Sequence, residues 1–275
     1  MPKPITSEDY SRRLQRVVAH ITTHLDEPID LARLAEIACF SPYHFHRIYR
    51  TCMGETVGET VSRQRLTRAA TELARTSRSL AEIARRAGYG SDAAFSRAFS
   101  AAHGRPPLEF RKAHLRRMES GESLMPVEIQ NRAPMRLATI EHQGPYAEIG
   151  RTFEMLTAWA GPRGALKPEA VGVALYPGDH TCEAADSRAI VGVTVGPEIA
   201  GDETVSIYEV PGGRHAVLLH RGPYAELPRS YDELFAWLPT SGEEPGDAPV
   251  FEVNLNNPRD TSPADLLTEI CLPIR

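Results

Sequence analysis

Residues 83–99 of this 275-residue chain read IARRAGYGSDAAFSRAF, and residues 104–111 read GRPPLEFR. The first run predicts a short helix that stops at the glycines, a tight turn, and a second helix. An earlier stretch repeats the pattern, because residues 31–54 match residues 80–104. A self-match at a fixed offset indicates two copies of one structural unit. The sequence therefore predicts two helix-turn-helix units, at about 30–51 and 79–102.

Helices are also expected before and between the two units. Apolar residues at spacings of three and four predict one helix over about 9–21 and a longer one over about 57–74. Ser41 and Pro42 suit the N-cap and the first helical position, because proline lacks an N–H that would go unpaired there. A rigid helix between two recognition helices lets one monomer enter major grooves about 34 Å apart.

Charge also divides the chain into two parts. Residues 1–120 hold 20 Lys and Arg against 13 Asp and Glu, whereas residues 121–275 hold 11 against 23. The overall net charge of -5 hides this asymmetry. A basic part suits contact with DNA phosphates, and an acidic part is repelled by them. We therefore expect the N-terminal part to face nucleic acid.

The C-terminal part contains a second, unrelated repeat. Residues 142–148 read HQGPYAE, and residues 220–226 read HRGPYAE. Alternating apolar residues predict strands around each copy, and an amphipathic helix is expected over about 148–159 after the first copy. Later strands are predicted over about 171–176, 189–195, 250–255 and 267–272.

The expected fold class is therefore multidomain. An all-α double helix-turn-helix domain over 1–120 precedes an α+β domain over 121–275. The α+β domain consists of two pseudo-symmetric repeats, at about 125–196 and 204–275, with a groove at their seam.

The N-terminal motifs resemble the DNA-binding domain of the AraC/XylS family, over about residues 10–115. The resemblance implies that the exposed sides of the two recognition helices contact bases. Arg47 and Arg97 are the principal candidates, since a guanidinium can bond guanine O6 and N7 together. The expected DNA-contacting residues are Tyr43, His46, Arg47, Arg50, Asp92, Ala93, Ser96, Arg97 and Arg105.

Some of these positions have a second interpretation. Asp92 would either accept a hydrogen bond from a cytosine amine or cap its helix, and we favour the cap. The second recognition helix offers few hydrogen-bonding groups, so the first is expected to supply most of the base readout. Other arginines are expected to touch phosphate or nothing, which positions the protein without reading sequence: Arg50, Arg63, Arg65, Arg105 and Arg111.

The C-terminal part resembles the GyrI-like effector-binding domain, over about residues 124–275. The match rests on the two His-x-Gly-Pro-Tyr runs, on FEVNLNNP at 251–258 and on TEICLP at 268–273. It implies a groove for a small aromatic or cationic effector, with Glu269 as the first ligand candidate and Glu252 as a second carboxylate. The expected aromatic walls are Trp159, Trp237, Tyr146, Tyr176 and Tyr224.

Each ligand assignment also has a structural alternative. The tryptophans are equally well explained as core, and the Gly-Pro-Tyr segments as turn anchors. His142 and His220 are expected to bond to backbone rather than bind metal, because no third ligand lies at a suitable spacing. Two departures from the family weaken the expected preference for cations: RAI stands at 188–190 where Arg-Tyr-Asp is common, and Asn254 stands where an aromatic residue is common.

Composition excludes several other classes of protein. The four cysteines lie far apart without a CxxC pair, and we expect buried free thiols in a reducing cytoplasm. No apolar run approaches the roughly 20 residues needed to span a bilayer. The N-terminal MPKPITSEDY has no apolar signal core. We expect a cytoplasmic protein with no metal, no cofactor and no membrane partner.

The leading hypothesis is a non-enzymatic, sequence-specific transcription regulator whose effector changes how the N-terminal part engages DNA. Its expected partners are promoter DNA, a small-molecule effector and RNA polymerase, and a monomer is expected to suffice on DNA. One alternative is a hydrolase that acts on a reactive small molecule with Glu269 as general base. The other is a protein that sequesters a toxic compound and has lost DNA binding.

Overall fold

The computed structural model describes residues 6–120, 126–177 and 187–275. The predicted domain boundary at 120/121 borders residues 121–125, which lie outside the described residues. The N-terminal part is helical throughout, with short connections. Its helices are α1 Ser7–Thr23, α2 Leu31–Ile37, α3 Pro42–Met53, α4 Val57–Arg75, α5 Leu80–Arg86, α6 Asp92–His103 and α7 Pro107–Ser120.

Side-chain caps set where these helices begin. The Ser41 hydroxyl accepts a hydrogen bond from the His44 N–H, with Pro42 in the first turn, as the sequence predicts. Thr56 and Glu59 form a reciprocal capping box at the start of α4. The recognition helices α3 and α6 both end on left-handed glycines, the residue type that adopts this conformation without steric cost.

The helices pack into two separate hydrophobic cores. One core joins α1, α2, α3 and the first turns of α4 around Phe45 and Tyr49. The other joins the rest of α4 with α5, α6 and Phe110 of α7, around Phe95 and Phe99. The two predicted helix-turn-helix units are confirmed, with α4 as the element that contributes to both cores.

In its described residues, the C-terminal part is one antiparallel sheet with two α-helices on one face. The strands run in the order β1-β6-β8-β7-β3-β4-β2-β5. Its elements are β1 Val127–Arg132, β2 Met135–Gln143, α8 Gly150–Ala160, β3 Gly172–Tyr176, β4 Arg188–Thr194, β5 Ser206–Val210, β6 Gly213–Arg221, α9 Leu227–Ser241, β7 Val250–Asn254 and β8 Leu267–Pro273.

The two predicted repeats exchange their first strands. β1 of the first repeat pairs with β6 of the second, and β5 of the second pairs with β2 of the first. The repeats also meet at the centre of the sheet, where β3 pairs with β7. The predicted side-by-side repeats are therefore merged into one sheet, and α8 and α9 flank its pseudo-twofold axis.

Helix α8 also fastens the sheet to the N-terminal helices. Its Leu156 and Trp159 pack against the sheet. Its Met155 and Ala158 belong to the core around α1 and α3. The Ser11 hydroxyl of α1 donates to the Trp159 carbonyl oxygen at 2.8 Å. The two parts of the chain therefore share a packed interface.

Thiols occupy three kinds of environment. Cys271 is buried, Cys52 is half-buried and Cys39 is exposed, so the expectation of buried thiols is wrong for Cys39. Cys182 lies outside the described residues. Within the described ranges, no helix is both long and apolar enough to cross a bilayer. The same ranges contain no cluster of three or more His, Cys, Asp or Glu side chains placed to hold a metal ion.

Candidate functional sites

The candidate DNA-reading side chains of α3 lie on its outer face. Tyr43, His46, Arg47 and Arg50 are all exposed, whereas Phe45 on the opposite face is buried. Tyr43 is 68% exposed although it is aromatic. The Arg47 guanidinium donates to the Tyr43 hydroxyl at 3.2 Å. This face therefore presents a guanidinium group and an aromatic ring to solvent, in contact with each other.

Helix α6 presents a smaller set of polar groups. Arg97 and Asp92 are exposed, and Ser96 and Arg105 are half-buried. Ser91 is the N-cap, because its hydroxyl accepts from the Ala94 N–H at 3.2 Å. The interpretation of Asp92 as the cap is therefore wrong. Its carboxylate lies in the first turn, where it complements the helix dipole.

Three arginines expected at phosphates are used inside the molecule instead. Arg65 donates to the Leu25 carbonyl oxygen at 2.8 Å, and Arg111 donates to the Leu73 carbonyl oxygen at 3.2 Å. Arg63 belongs to an ion-pair cluster described below. The expectation that these arginines contact phosphate or solvent is wrong for all three. Helices α4 and α7 pack against other elements of the chain, and their arginines bond to those elements.

A groove of about 1910 Å³ lies between the helix-covered face of the sheet and α4. Glu252, at the middle of β7, is buried at its floor. The Tyr176 hydroxyl donates to Glu252 Oε2 at 3.0 Å, and the Tyr231 hydroxyl donates to Oε1 at 2.8 Å. Tyr146 meets Tyr176 edge to face, with ring centroids 5.0 Å apart. Glu252 therefore lies among phenol rings, and the buried Glu154 and Glu226 also line the groove.

Burial controls the ionisation of this carboxyl group. Desolvation raises the pKa of Glu252 to about 7, although its two hydrogen bonds from tyrosine hydroxyls act in the opposite direction. Burial and the neighbouring carboxylate also raise the pKa of both Tyr176 and Tyr231, so these phenols stay protonated. At neutral pH the floor is a titrating acid held between hydrogen-bond donors.

Four of the seven predicted ligand residues line this groove: Glu252, Tyr146, Tyr176 and Tyr224. The groove is also lined by Tyr231, which was not among the predicted ligand residues. The sequence contains a signal for Tyr231, because Tyr231 and Phe153 occupy equivalent positions in the two repeats, and Phe153 also lines the groove.

Glu269, the first ligand candidate, lies on the other face of the sheet. It pairs with Val253 across the β7–β8 ladder, whereas Glu252 pairs with Ile270. Directly opposed residues share a face, so Glu269 points away from the helices. Its Oε2 accepts from Arg132 Nη1 of β1 at 2.6 Å. The placement of Glu269 in the groove is wrong, and Glu252 provides the carboxylate there.

Neither tryptophan is among the residues that line the groove. Trp159 is fully buried between α8 and the sheet, and its indole N–H donates to Asp202 Oδ2 at 2.7 Å. Trp237 packs in the cluster between α9 and its half of the sheet. The expected wall role is wrong for both, and the structural alternative accounts for them.

The two His-x-Gly-Pro-Tyr runs share one anchoring geometry. His142 Nδ1 lies 2.8 Å from the Thr152 hydroxyl, and His142 Nε2 lies 3.2 Å from the Pro145 carbonyl oxygen. His220 makes the same two contacts, with Ser230 and Pro223. A carbonyl only accepts, so Nε2 carries the proton and Nδ1 accepts from the hydroxyl. Each histidine therefore links its turn to the following helix.

An ion-pair cluster joins the two parts beside Tyr224. Arg63 Nη2 of α4 lies 2.5 Å from Glu55 and 2.7 Å from Glu154 of α8. Arg259, in the loop between β7 and β8, lies 2.7 Å from Glu154 and 3.3 Å from Glu55. Each arginine thus contacts both buried carboxylates, and the four charges cancel.

Comparison with known proteins assigns both parts of the chain. Residues 125–275 match the family described as the GyrI-like small molecule binding domain. The chain belongs to the GyrI-like family. Residues 34–113 match a helix-turn-helix domain family, and this GyrI-like chain therefore carries an AraC-type helix-turn-helix region ahead of its GyrI-like domain.

Three similar proteins illustrate the two parts of this GyrI-like chain. SoxS, a regulatory protein of Escherichia coli (strain K12), is 32% identical over 102 residues, which are 37% of this chain and 95% of SoxS. The right origin-binding protein of the same strain is 30% identical over 90 residues, 33% of this chain and 31% of that protein. The crystal structure of the EcmrR C-terminal domain shares 16% identity and a TM-score of 0.47, over 56% of this chain and 99% of that domain.

Proposed function

We propose that this protein is a sequence-specific DNA-binding transcription regulator whose groove takes a small aromatic cation as effector. The observation that carries the effector class is the buried Glu252 carboxylate, with both oxygens held by tyrosine hydroxyls and open to a groove. Phenol faces attract cations, and an ionised carboxylate compensates their charge in a desolvated site. RNA polymerase is the expected downstream partner, and a monomer carries both DNA-reading helices.

DNA recognition is tested by selecting bound sites from random DNA with the full-length chain. Operator binding by Arg47→Ala should weaken by about 1–3 kcal/mol, and its selected sites should lose one specified base pair. Arg33→Ala is the matched control, because Arg33 is an exposed arginine of α2 that pairs with Glu36. Unchanged site preference in Arg47→Ala would remove this residue from base readout, and selection of no site would contradict DNA binding itself.

Effector recognition is tested by titrating a panel of planar aromatic compounds, matched as cations, neutral analogues and anions. Glu252→Gln keeps the shape of the floor and removes its charge, so it should lose cation binding by about tenfold or more. One tyrosine hydroxyl can still donate to the amide oxygen, and the other would have to accept from the amide NH2. Glu269→Gln is the control on the opposite sheet face and should bind as the wild type does. Loss of binding in Glu269→Gln alone would contradict the proposed site.

A second candidate function is hydrolysis of a reactive ligand in the same groove. The observation that favours it is the pKa of Glu252, raised to about 7, because a general base works best when its pKa lies near the working pH. Turnover of a bound compound by the wild type, but not by Glu252→Gln, would establish this activity. Stoichiometric binding without formation of a product would contradict the hydrolase, and transcription regulation would remain as the candidate function.

A further inference from the structure

The C-terminal ends of both recognition helices rest on the C-terminal part of the chain. Gly161, just after α8, packs directly against α3, because a Cβ at this position would lie 2.1 Å from the Cys52 carbonyl oxygen. At α6, the Ser262 hydroxyl donates to the Ala102 carbonyl oxygen at 2.8 Å. Ala264 lies 3.6 Å from where a Cβ on Gly104 would stand.

These contacts leave the candidate DNA-reading surfaces uncovered. They involve the last turns of α3 and α6, whereas Arg47 and Arg97 lie one to two turns earlier and are exposed. The C-terminal part can therefore remain docked while the two helices face a duplex. Docking then affects where the helices stand, rather than whether their side chains are accessible.

Within the described helical part, two links join the units. Their cores are separate, but both receive residues from α4, and Asp26 in the loop after α1 pairs with Arg86 of α5. The docked C-terminal part adds a further bridge, because it contacts the last turn of each recognition helix. The ion-pair cluster links these two contact points. Glu154 of α8, which ends just before Gly161, pairs with Arg259 in the loop that carries Ser262.

We propose that the C-terminal part sets the separation and relative orientation of the two DNA-reading helices, with Gly161 and Ser262 as positioning residues. This inference rests on the proposed DNA binding. Two linked reading heads bind a pair of half-sites tightly only when their separation matches the spacing on the duplex. Two helices held at a fixed separation are therefore selective for half-site spacing, and two helices without these contacts tolerate several spacings.

The test measures the affinity of the full-length chain for duplexes that carry both selected half-sites at stepwise spacings, and for duplexes with one half-site. The variants are Gly161→Ala, which must push α3 away, and Ser262→Ala, which removes the hydrogen bond to the Ala102 carbonyl oxygen of α6. Gly150→Ala is the control for the first, because a Cβ there meets nothing within 4 Å. Thr261→Ala is the control for the second, because its hydroxyl bonds within the loop to Asp260.

We expect both variants to lose about tenfold at the best spacing and to show a flatter spacing profile, with single half-site affinity unchanged. The controls should keep the wild-type profile. Ser262→Ala remains informative if Gly161→Ala does not fold, because it only removes a hydroxyl. A wild-type profile in Ser262→Ala and in a folded Gly161→Ala, or a wild-type protein indifferent to spacing, would overturn the inference. Failure to bind any duplex would instead contradict the proposed function.

Discussion

Single residues decide how each helix-turn-helix turn is made. In the second unit the second residue after the first helix is Gly88, with φ of 80°. The equivalent residue of the first unit is Cys39, which has φ of 52° and is the sole non-glycine with positive φ in the described ranges. Both turns repeat the same backbone hydrogen bonds, from Phe40 to Ala35 and from Tyr89 to Ala84. The same geometry is therefore strained in the first unit and unstrained in the second.

Replacing Cys39 by glycine should stabilise the protein. The left-handed conformation costs a residue with a Cβ about 1–2 kcal/mol. Glycine avoids this cost, but it loses more conformational entropy on folding, which offsets part of the gain. We expect Cys39→Gly to raise the free energy of unfolding by about 0.5–1 kcal/mol in denaturant titrations followed by circular dichroism.

Two further variants complete the test of this turn. Cys39→Ala removes the thiol but keeps the Cβ, and it should show no gain. Gly88→Ala should destabilise, since its Cβ would stand 2.3 Å from Arg65 Nη1 in a left-handed turn, whereas a Cβ at Gly90 meets nothing within 4 Å. Equal stability of Cys39→Gly and Cys39→Ala would show that the turn is not strained.

At the level of elements, the register of one strand pair selects the acid of the groove. The sequence places carboxylates on both β7 and β8, and residues of alternate parity on a strand face opposite sides of the sheet. Which parity faces α8 and α9 depends on pairing with other strands, and a shift of one residue would exchange the two acids. The pairing of Glu252 with Ala174 and Ile270 settles the choice.

Effector affinity should therefore depend on pH with the signature of Glu252. Its pKa is raised to about 7 in the folded protein, and a cation pairs with the ionised form. Binding below that pH must release the proton, so Kd should rise about tenfold per pH unit on acidification below about pH 7 and stay flat above it. The measurement is calorimetric titration with a permanently charged aromatic cation, whose own charge does not change.

Two comparisons separate Glu252 from other titrating groups. Glu252→Gln should bind this cation weakly and with a flat pH profile, and a neutral isosteric ligand should not lose affinity on acidification. A wild-type profile that keeps its slope in Glu252→Gln would assign the proton to another group. A profile that is flat in the wild type would mean that the carboxylate does not contact the ligand charge.

At the scale of the whole molecule, polar contacts connect the groove to the first recognition helix. Arg63 lies at the groove edge and pairs with Glu55. The Thr60 hydroxyl donates to Glu55 at 2.9 Å and lies 3.0 Å from the Tyr49 hydroxyl of α3. Ligand binding can influence DNA affinity only if it favours one arrangement of such contacts over another.

Removing one ion pair of the cluster should weaken the coupling between effector and DNA. Arg63→Met with Glu154→Gln deletes one positive and one negative charge and leaves the contact between Arg259 and Glu55 in place. We expect the effector-induced change in operator affinity, measured by fluorescence anisotropy, to fall about fivefold or more, because coupling energies are of that order. Effector affinity in the absence of DNA should change less.

The control removes an exposed ion pair far from the groove. Arg275 and Asp247 pair at 2.8 Å with both side chains mostly exposed, and such pairs contribute little. Arg275→Gln with Asp247→Asn should therefore leave the coupling as it is in the wild type. An undiminished effector response in Arg63→Met with Glu154→Gln would exclude the cluster as the route.

Local sequence patterns were enough to predict the two helix-turn-helix units, the repeated strand and helix pattern, and the exposure of Arg47 and Arg97. These features follow from local periodicity, caps and turn residues, which act within a few positions along the chain. The exchanged strands, the position of Glu252 rather than Glu269 in the groove, and the ion-pair cluster around Arg63 could be seen only in the folded chain. Those features depend on residues that lie far apart in sequence, and the registers and distances that join them are fixed only when the whole sheet and its helices pack.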